Sequence, residues 1–151
     1  MMNEKSFFIK NKTLKWDGVN PELSLTLPSQ YFFDEKIFKK EIEKIFYPSW
    51  HFVCHESELS NTGDFVKFDI LRQSILVIRS EDGSVNGMHN VCKHRGTQLI
   101  KDRRGNIKNM ITCPYHAWSY HLDGRLRHAP RHETMSGFSM DDWGLSKVRI
   151  E

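Results

Sequence analysis

Hydrophobic and polar positions change rhythm twice along the chain, and each change predicts a different kind of element. Residues 1–33 mix polar and aromatic positions without a sustained period, and Pro21 and Pro28 interrupt them. Such a stretch predicts an extended arm that packs on the body of the protein or on a neighbouring subunit. From Asp34 to Phe46 the spacing turns helical, with Ile37, Phe38, Ile42, Ile45 and Phe46 on one stripe. Asp34 can accept from the amides left free at the start, and Pro48 ends the run. A stripe of this kind draws most of its stability from burial, so the expectation is a helix laid against its own sheet.

From Trp50 onward short β-rich runs take over, at 50–54, 65–70 and 74–79. Asp82-Gly83 turns the chain into a run at 85–91, Gly96 and Gly105 bracket a further hairpin leading to 110–112, and 118–122 turns again at Asp123-Gly124. His51 and His55 then share one face of the first run. Many short strands with frequent turns predict a mainly β protein, an antiparallel β-sandwich or pair of small barrels carrying an N-terminal arm and one helix. The division expected is 1–49 for arm and helix and 50–151 for the β domain, since 151 residues leave little room for a second core.

Chemistry concentrates between the later strands. Cys92-Lys93-His94 and Cys113-Pro114-Tyr115-His116 each deliver one thiol and one imidazole, separated by a span long enough for a hairpin. Two loops that each carry one ligand of each kind suit a Rieske [2Fe–2S] centre, in which two thiolates hold one iron and two imidazoles the other. Replacing two thiolates by neutral imidazoles eases the uptake of an electron. Structural zinc is the competing reading of a Cys2His2 set, although zinc fingers pair like ligands within each short motif.

The residues around the ligands add a resemblance. Asn90 to Gly96, then Cys113 to Tyr120 and Leu122-Asp123-Gly124-Arg125, resemble the N-terminal Rieske domain of ring-hydroxylating oxygenase α subunits, a family with relatives that oxidise quaternary amines. The resemblance extends upstream through Leu27-Pro28, Ile45-Phe46 and Trp50, His55 to Leu59 and Gly63-Asp64. It implies one [2Fe–2S] cluster per chain on Cys92, His94, Cys113 and His116, with Arg95, Tyr115 and Trp118 beside it as candidates for shielding or for an interface. It also implies a ferredoxin or flavin reductase as electron donor, a mononuclear non-haem Fe(II) in a catalytic domain as acceptor, and a homo-oligomer. That catalytic domain has no counterpart here, so the chain alone should not hydroxylate a substrate. Cytochrome bc-type relatives carry a loop disulfide and a serine near the second histidine; Thr97, Tyr115 and Trp118 stand in those places, which implies fewer hydrogen bonds to sulfur and a potential toward the low end of the Rieske range. A free-standing Rieske ferredoxin remains the alternative within the same chemistry.

Composition narrows the setting. A net charge of +3, from 22 basic and 19 acidic residues, with no basic run carrying interleaved aromatics, argues against nucleic acid. No apolar run reaches bilayer length and the start lacks a signal-peptide pattern, so a cytoplasmic protein is expected. Cys54 is left as a small buried residue without a disulfide partner. Lys101, Arg103, Arg104 and Lys108 are read as a hairpin tip, a solvated face or a surface that steers an acidic donor. His128, His132 and Glu133, with Asp123, form a weaker second-metal candidate in an irregular loop.

Overall fold

A computed structural model describes residues 27–151, so the expected arm over residues 1–26 lies outside the described residues. The chain divides into two compact units, Met1–His51 and Phe52–Glu151. In the first, a 3-10 turn at Ser29–Phe32 precedes helix α1, Glu35–Glu41. The Asp34 carboxylate accepts from the Lys36 amide at 2.7 Å, as an N-cap should. The predicted single helix does not persist to Phe46. A π turn, Ile42–Phe46, replaces its second half, with the Tyr47 amide donating to the Ile42 carbonyl one residue further back than in an α-helix. None of the stripe residues is buried, and Phe38 and Ile45 are exposed. The described residues therefore leave this stripe without the burial expected of it.

The second unit holds eight short strands: β1 Asp64–Ile70, β2 Gln73–Arg79, β3 Val85–His89, β4 Arg104–Asn106, β5 Ile111–Thr112, β6 Ser119–Tyr120, β7 Leu126–His128 and β8 Lys147–Val148. They form two antiparallel sheets, one ordered β4-β1-β2-β3-β8 and one ordered β5-β6-β7. This mainly β, two-sheet architecture is the one the turn spacing predicts. Alternation along β1 and β2 sorts their residues to two cores. Phe65, Leu76 and Ile78 join Met88, Ile111, Trp118, Tyr120 and Leu126 between the sheets. Val66, Ile75 and Val77 point the other way, onto Leu59, with Val53, Cys54 and Val85 packed alongside. Buried on both faces, Ile75 to Ile78 read as an unbroken apolar run, as a central strand should.

Three local readings need correction. Residues 50–54 form no strand. The chain there is committed by the capping of the 3-10 turn Glu56–Leu59, where the His55 imidazole accepts from the Ser57 amide and the Glu58 carboxylate from the His55 amide, so His51 and His55 do not share a strand face. Cys54 is only half-buried, and burial pushes its thiol up while Arg104 opposes that shift. Gly105 belongs to β4, which pairs with β1 through Phe65 opposite Gly105. Lys101, Arg103, Arg104 and Lys108 thus surround an edge strand, all exposed, with Arg104 paired to Glu58. Among the described residues no helix is long and apolar enough to cross a membrane.

Gly63 opens β1 in the left-handed region at φ +84°, donating to the Arg79 carbonyl at 2.8 Å and accepting from the Ile107 amide at 2.9 Å. A Cβ at this position would lie 2.0 Å from the Ile107 carbonyl oxygen, which is backbone and cannot step aside. Gly63→Ala should cost about 3 kcal/mol, from strain and overlap together. Gly83→Ala, at a similar φ with nothing within 4 Å of its Cβ, should cost only about 1 kcal/mol. Guanidinium denaturation of both variants checks the contrast; equal losses would refute it.

Candidate metal centre

Two loops of matching design carry the predicted ligands. The first leaves β3 and is closed by a single bridge between Val91 and Gln98; the second joins β5 to β6. In the first the Cys92 amide donates to the Thr97 carbonyl at 2.8 Å and the Gly96 amide to the Cys92 carbonyl at 3.0 Å. In the second the Cys113 amide donates to the Trp118 carbonyl at 2.8 Å and the Ala117 amide to the Cys113 carbonyl at 3.1 Å. The fifth residue of each loop adopts positive φ, +70° at Gly96 and +57° at Ala117. Each loop is thereby a tight knuckle that turns its cysteine and its histidine inward.

The first knuckle stands on Asn90, which is fully buried. Its side-chain amide donates to the Ile100 carbonyl at 2.7 Å and to the Ser74 hydroxyl at 3.2 Å, while its carbonyl accepts from the Ile100 amide at 2.9 Å. Asn90 thus ties the two ends of the loop to each other and to the start of β2.

The four predicted ligands are brought together two and two. Cys92 and Cys113 are both buried. Burial pushes the Cys92 thiol up, opposed by bonds from the Tyr120 hydroxyl and the His94 amide, and the neighbouring Cys113 adds to the upward push. The rings of His94 and His116 meet edge to face with centroids 4.7 Å apart. Burial, followed by the neighbouring His116 and Arg95, depresses the His94 imidazole. The Nδ1 atom of each histidine is buried and has no hydrogen-bond partner. An orphaned buried nitrogen is costly, and two of them beside two buried thiols make a donor set suited to metal. Pairing in twos is the division a binuclear cluster requires, whereas tetrahedral zinc needs all four on one point.

Side chains beyond the ligands separate cleanly. Trp118 is buried, and its indole stacks on His94 with centroids 5.0 Å apart and planes within 3°. It packs against the site and presents no exposed face. Tyr115 is exposed and leans over His116 at 3.8 Å, and Arg95 is exposed. Tyr120 escaped the sequence reading. Its hydroxyl lies 3.2 Å from the Cys92 sulfur and accepts from the Lys93 amide at 3.1 Å, which leaves its own proton for the sulfur. Burial, with the Cys92 bond next, raises this phenol well above its ordinary range. The available signal was strand alternation, which puts residues 118 and 120 on one face. The second-metal candidate does not assemble: the His132 Nδ1 meets the Ala129 carbonyl at 2.8 Å, and among the described residues no three His, Cys, Asp or Glu side chains converge on one ion.

Comparison with known proteins places this geometry. The family described as "Rieske [2Fe-2S] domain" matches residues 49–139. The carnitine monooxygenase oxygenase subunit of Escherichia coli strain K12 is 42% identical over 132 residues, covering 87% of this chain and 35% of that protein. A solved quaternary ammonium Rieske monooxygenase, described in terms of carnitine oxidation and inter-subunit electron transfer, superimposes with a TM-score of 0.78 at 35% identity, covering 82% of this chain and 34% of that one. Naphthalene 1,2-dioxygenase from a Rhodococcus species follows at a TM-score of 0.74 and 34% identity, covering 80% of this chain and 28% of its own. The chain spans about a third of the length of the curated relatives it matches.

Asn90 gives this subsection its test. Asn90→Leu strips partners from the Ile100 amide and carbonyl at the foot of the first loop, and should cost about 2–4 kcal/mol, read from the denaturation midpoint. A loss below about 1 kcal/mol would show that water replaces the brace.

Proposed function

Because the chain belongs to the Rieske [2Fe–2S] domain family, we propose that Cys92 and Cys113 hold one iron of its cluster and that His94 and His116 hold the other through Nδ1. The observation that carries this assignment is the pair of buried, unpartnered Nδ1 atoms beside a pair of buried thiols. When bound, such a cluster accepts and returns one electron at roughly −150 to +300 mV. The chain's own residues set the conditions. Trp118 and Tyr120 wall the site against water, and the Tyr120 hydroxyl and His94 amide donate to the Cys92 sulfur, where they favour the more negative, reduced state. Trp118 supplies no hydroxyl, but Tyr120 supplies one from two residues further along, which moves the expected potential upward from that of an unbonded sulfur.

The donor in this reading is a ferredoxin or a flavin reductase. The acceptor is a mononuclear non-haem iron in an oxygenase catalytic domain, reached across a subunit interface in a homo-oligomer; the solved monooxygenase described for inter-subunit electron transfer supports that arrangement. The carnitine monooxygenase relative supports a quaternary ammonium compound as the class oxidised by the whole assembly. We assign residues 50–151 as the electron-transfer domain and 1–49 as its arm and helix. The setting is the cytoplasm, where Cys54 remains a free thiol.

Anaerobic iron and sulfide analysis with electron paramagnetic resonance of the reduced protein tests the assignment. Two irons and two sulfides per chain, with a rhombic signal showing nitrogen hyperfine coupling that changes in His94→Cys and His116→Cys, are expected. Bound zinc, or no reducible signal, would remove the electron-transfer reading. Tyr120→Phe should retain the cluster and lower its potential, since one donor to sulfur is lost. An unchanged potential in a redox titration would show that this hydrogen bond does not act on the cluster.

A further inference from the structure

The two candidate imidazoles sit in unlike surroundings. His116 is covered by Tyr115, which is 61% exposed and has no further aromatic contact among the described residues. His94 instead lies flat against Trp118, which is 5% exposed, and Trp118 leads on to other rings. Its indole meets Trp143 at 5.5 Å and Phe138 at 5.9 Å, both edge to face, and Phe138 and Trp143 stack on each other at 5.7 Å. Trp118 is buried at the centre of this group, whereas Phe138 and Trp143 are only half-buried. Trp143 ends the 3-10 turn Met140–Trp143, so the rings run from the inner loop out to the surface of a different segment.

Electron tunnelling falls exponentially with the gap between conjugated groups, and rings in van der Waals contact couple better than the same distance of saturated chain or water. We propose that His94, Trp118 and the Phe138–Trp143 pair form the route by which an electron enters the cluster, with the half-buried edge of Trp143 as its entry point. This deepens the proposed function and rests on it. The external partner is a one-electron reductant, a reduced iron–sulfur or flavin protein, which loses the electron that the cluster gains. The rings act as a coupling bridge: no indole is oxidised or reduced and no proton moves at Trp118 or Trp143. Simple packing accounts for the burial of Trp118 but is indifferent to whether the rings beyond it are conjugated.

Flash photolysis of the cluster-loaded full chain tests the route. In a Cys54→Ser background, Asp142→Cys beside Trp143 carries a ruthenium polypyridyl photoreductant, and Glu81→Cys, in the exposed turn between β2 and β3, carries the same label as a control. Trp143→Leu and Phe138→Leu together should slow cluster reduction from the position-142 label several-fold and leave reduction from the position-81 label unchanged. Iron content, the paramagnetic signal and the potential must match the unmodified protein in every variant, which excludes indirect damage, and Trp143→Phe should restore most of the rate. An unchanged rate from position 142 in a variant with a normal cluster overturns the route alone. Absence of any cluster in the unmodified chain overturns the route together with the functional assignment beneath it.

Discussion

Two buried thiols and two buried imidazole nitrogens, the nitrogens without any hydrogen-bond partner, meet where two loops come together and set the terms for the second unit. Buried polar atoms are almost always satisfied, so an arrangement that orphans two imidazole nitrogens side by side is held in place by something stronger than local preference. What holds it is backbone. Each knuckle closes on itself through two amide–carbonyl bonds and accepts a left-handed residue at its fifth position; the second is anchored in a sheet at both ends, the first by the Val91–Gln98 bridge. Ala117 pays for that turn with a side chain in a region that glycine occupies more easily.

The two sheets serve the knuckles unequally. The five-stranded sheet carries the larger apolar load, with β2 buried on both faces, and through Ser74 it braces Asn90 at the foot of the first loop. The three-stranded sheet is short and irregular, yet its strand β6 follows directly on Trp118 and brings Tyr120 to the first loop. One tyrosine then links the loops directly, since Tyr120 follows the second knuckle in sequence but bonds the sulfur and an amide of the first. Electron transfer needs such rigidity, because a site that does not rearrange as its charge changes loses little energy to reorganisation.

The curated relatives that this chain matches are about three times as long. The described residues fit the electron-handling share of such a protein: buried ligands, donors to sulfur, and imidazole rings that reach half-exposed positions. The distinct aromatic surroundings of His94 and His116 give the two sides of the site different character, which a relay requires and a purely structural metal does not.

Spacing alone nominated the four candidate ligands. Cys-x-His and Cys-x-x-His place thiol and imidazole on the same tight turn, and that depends only on residues within five positions of each other. The turn-rich rhythm after Trp50 likewise carried the two-sheet architecture, because strand alternation and turn chemistry are local. Tertiary structure decided the rest, wherever a residue's partner lies far away in the chain. Tyr120 and Cys92 are 28 residues apart, so no local pattern could pair the hydroxyl with the sulfur. Gly105 reads as part of a hairpin until β1, some 40 residues earlier by the Asn106–Asp64 bond at a separation of 42, claims its strand. Residues 50–54 have strand-like composition, but a capping box lies just beyond them, and only Val53 and Cys54 pack, half-buried, beside Val66, Ile75 and Val77. The helix stripe failed for the converse reason: amphipathic spacing states that a face seeks cover, and only the fold determines whether this chain provides it.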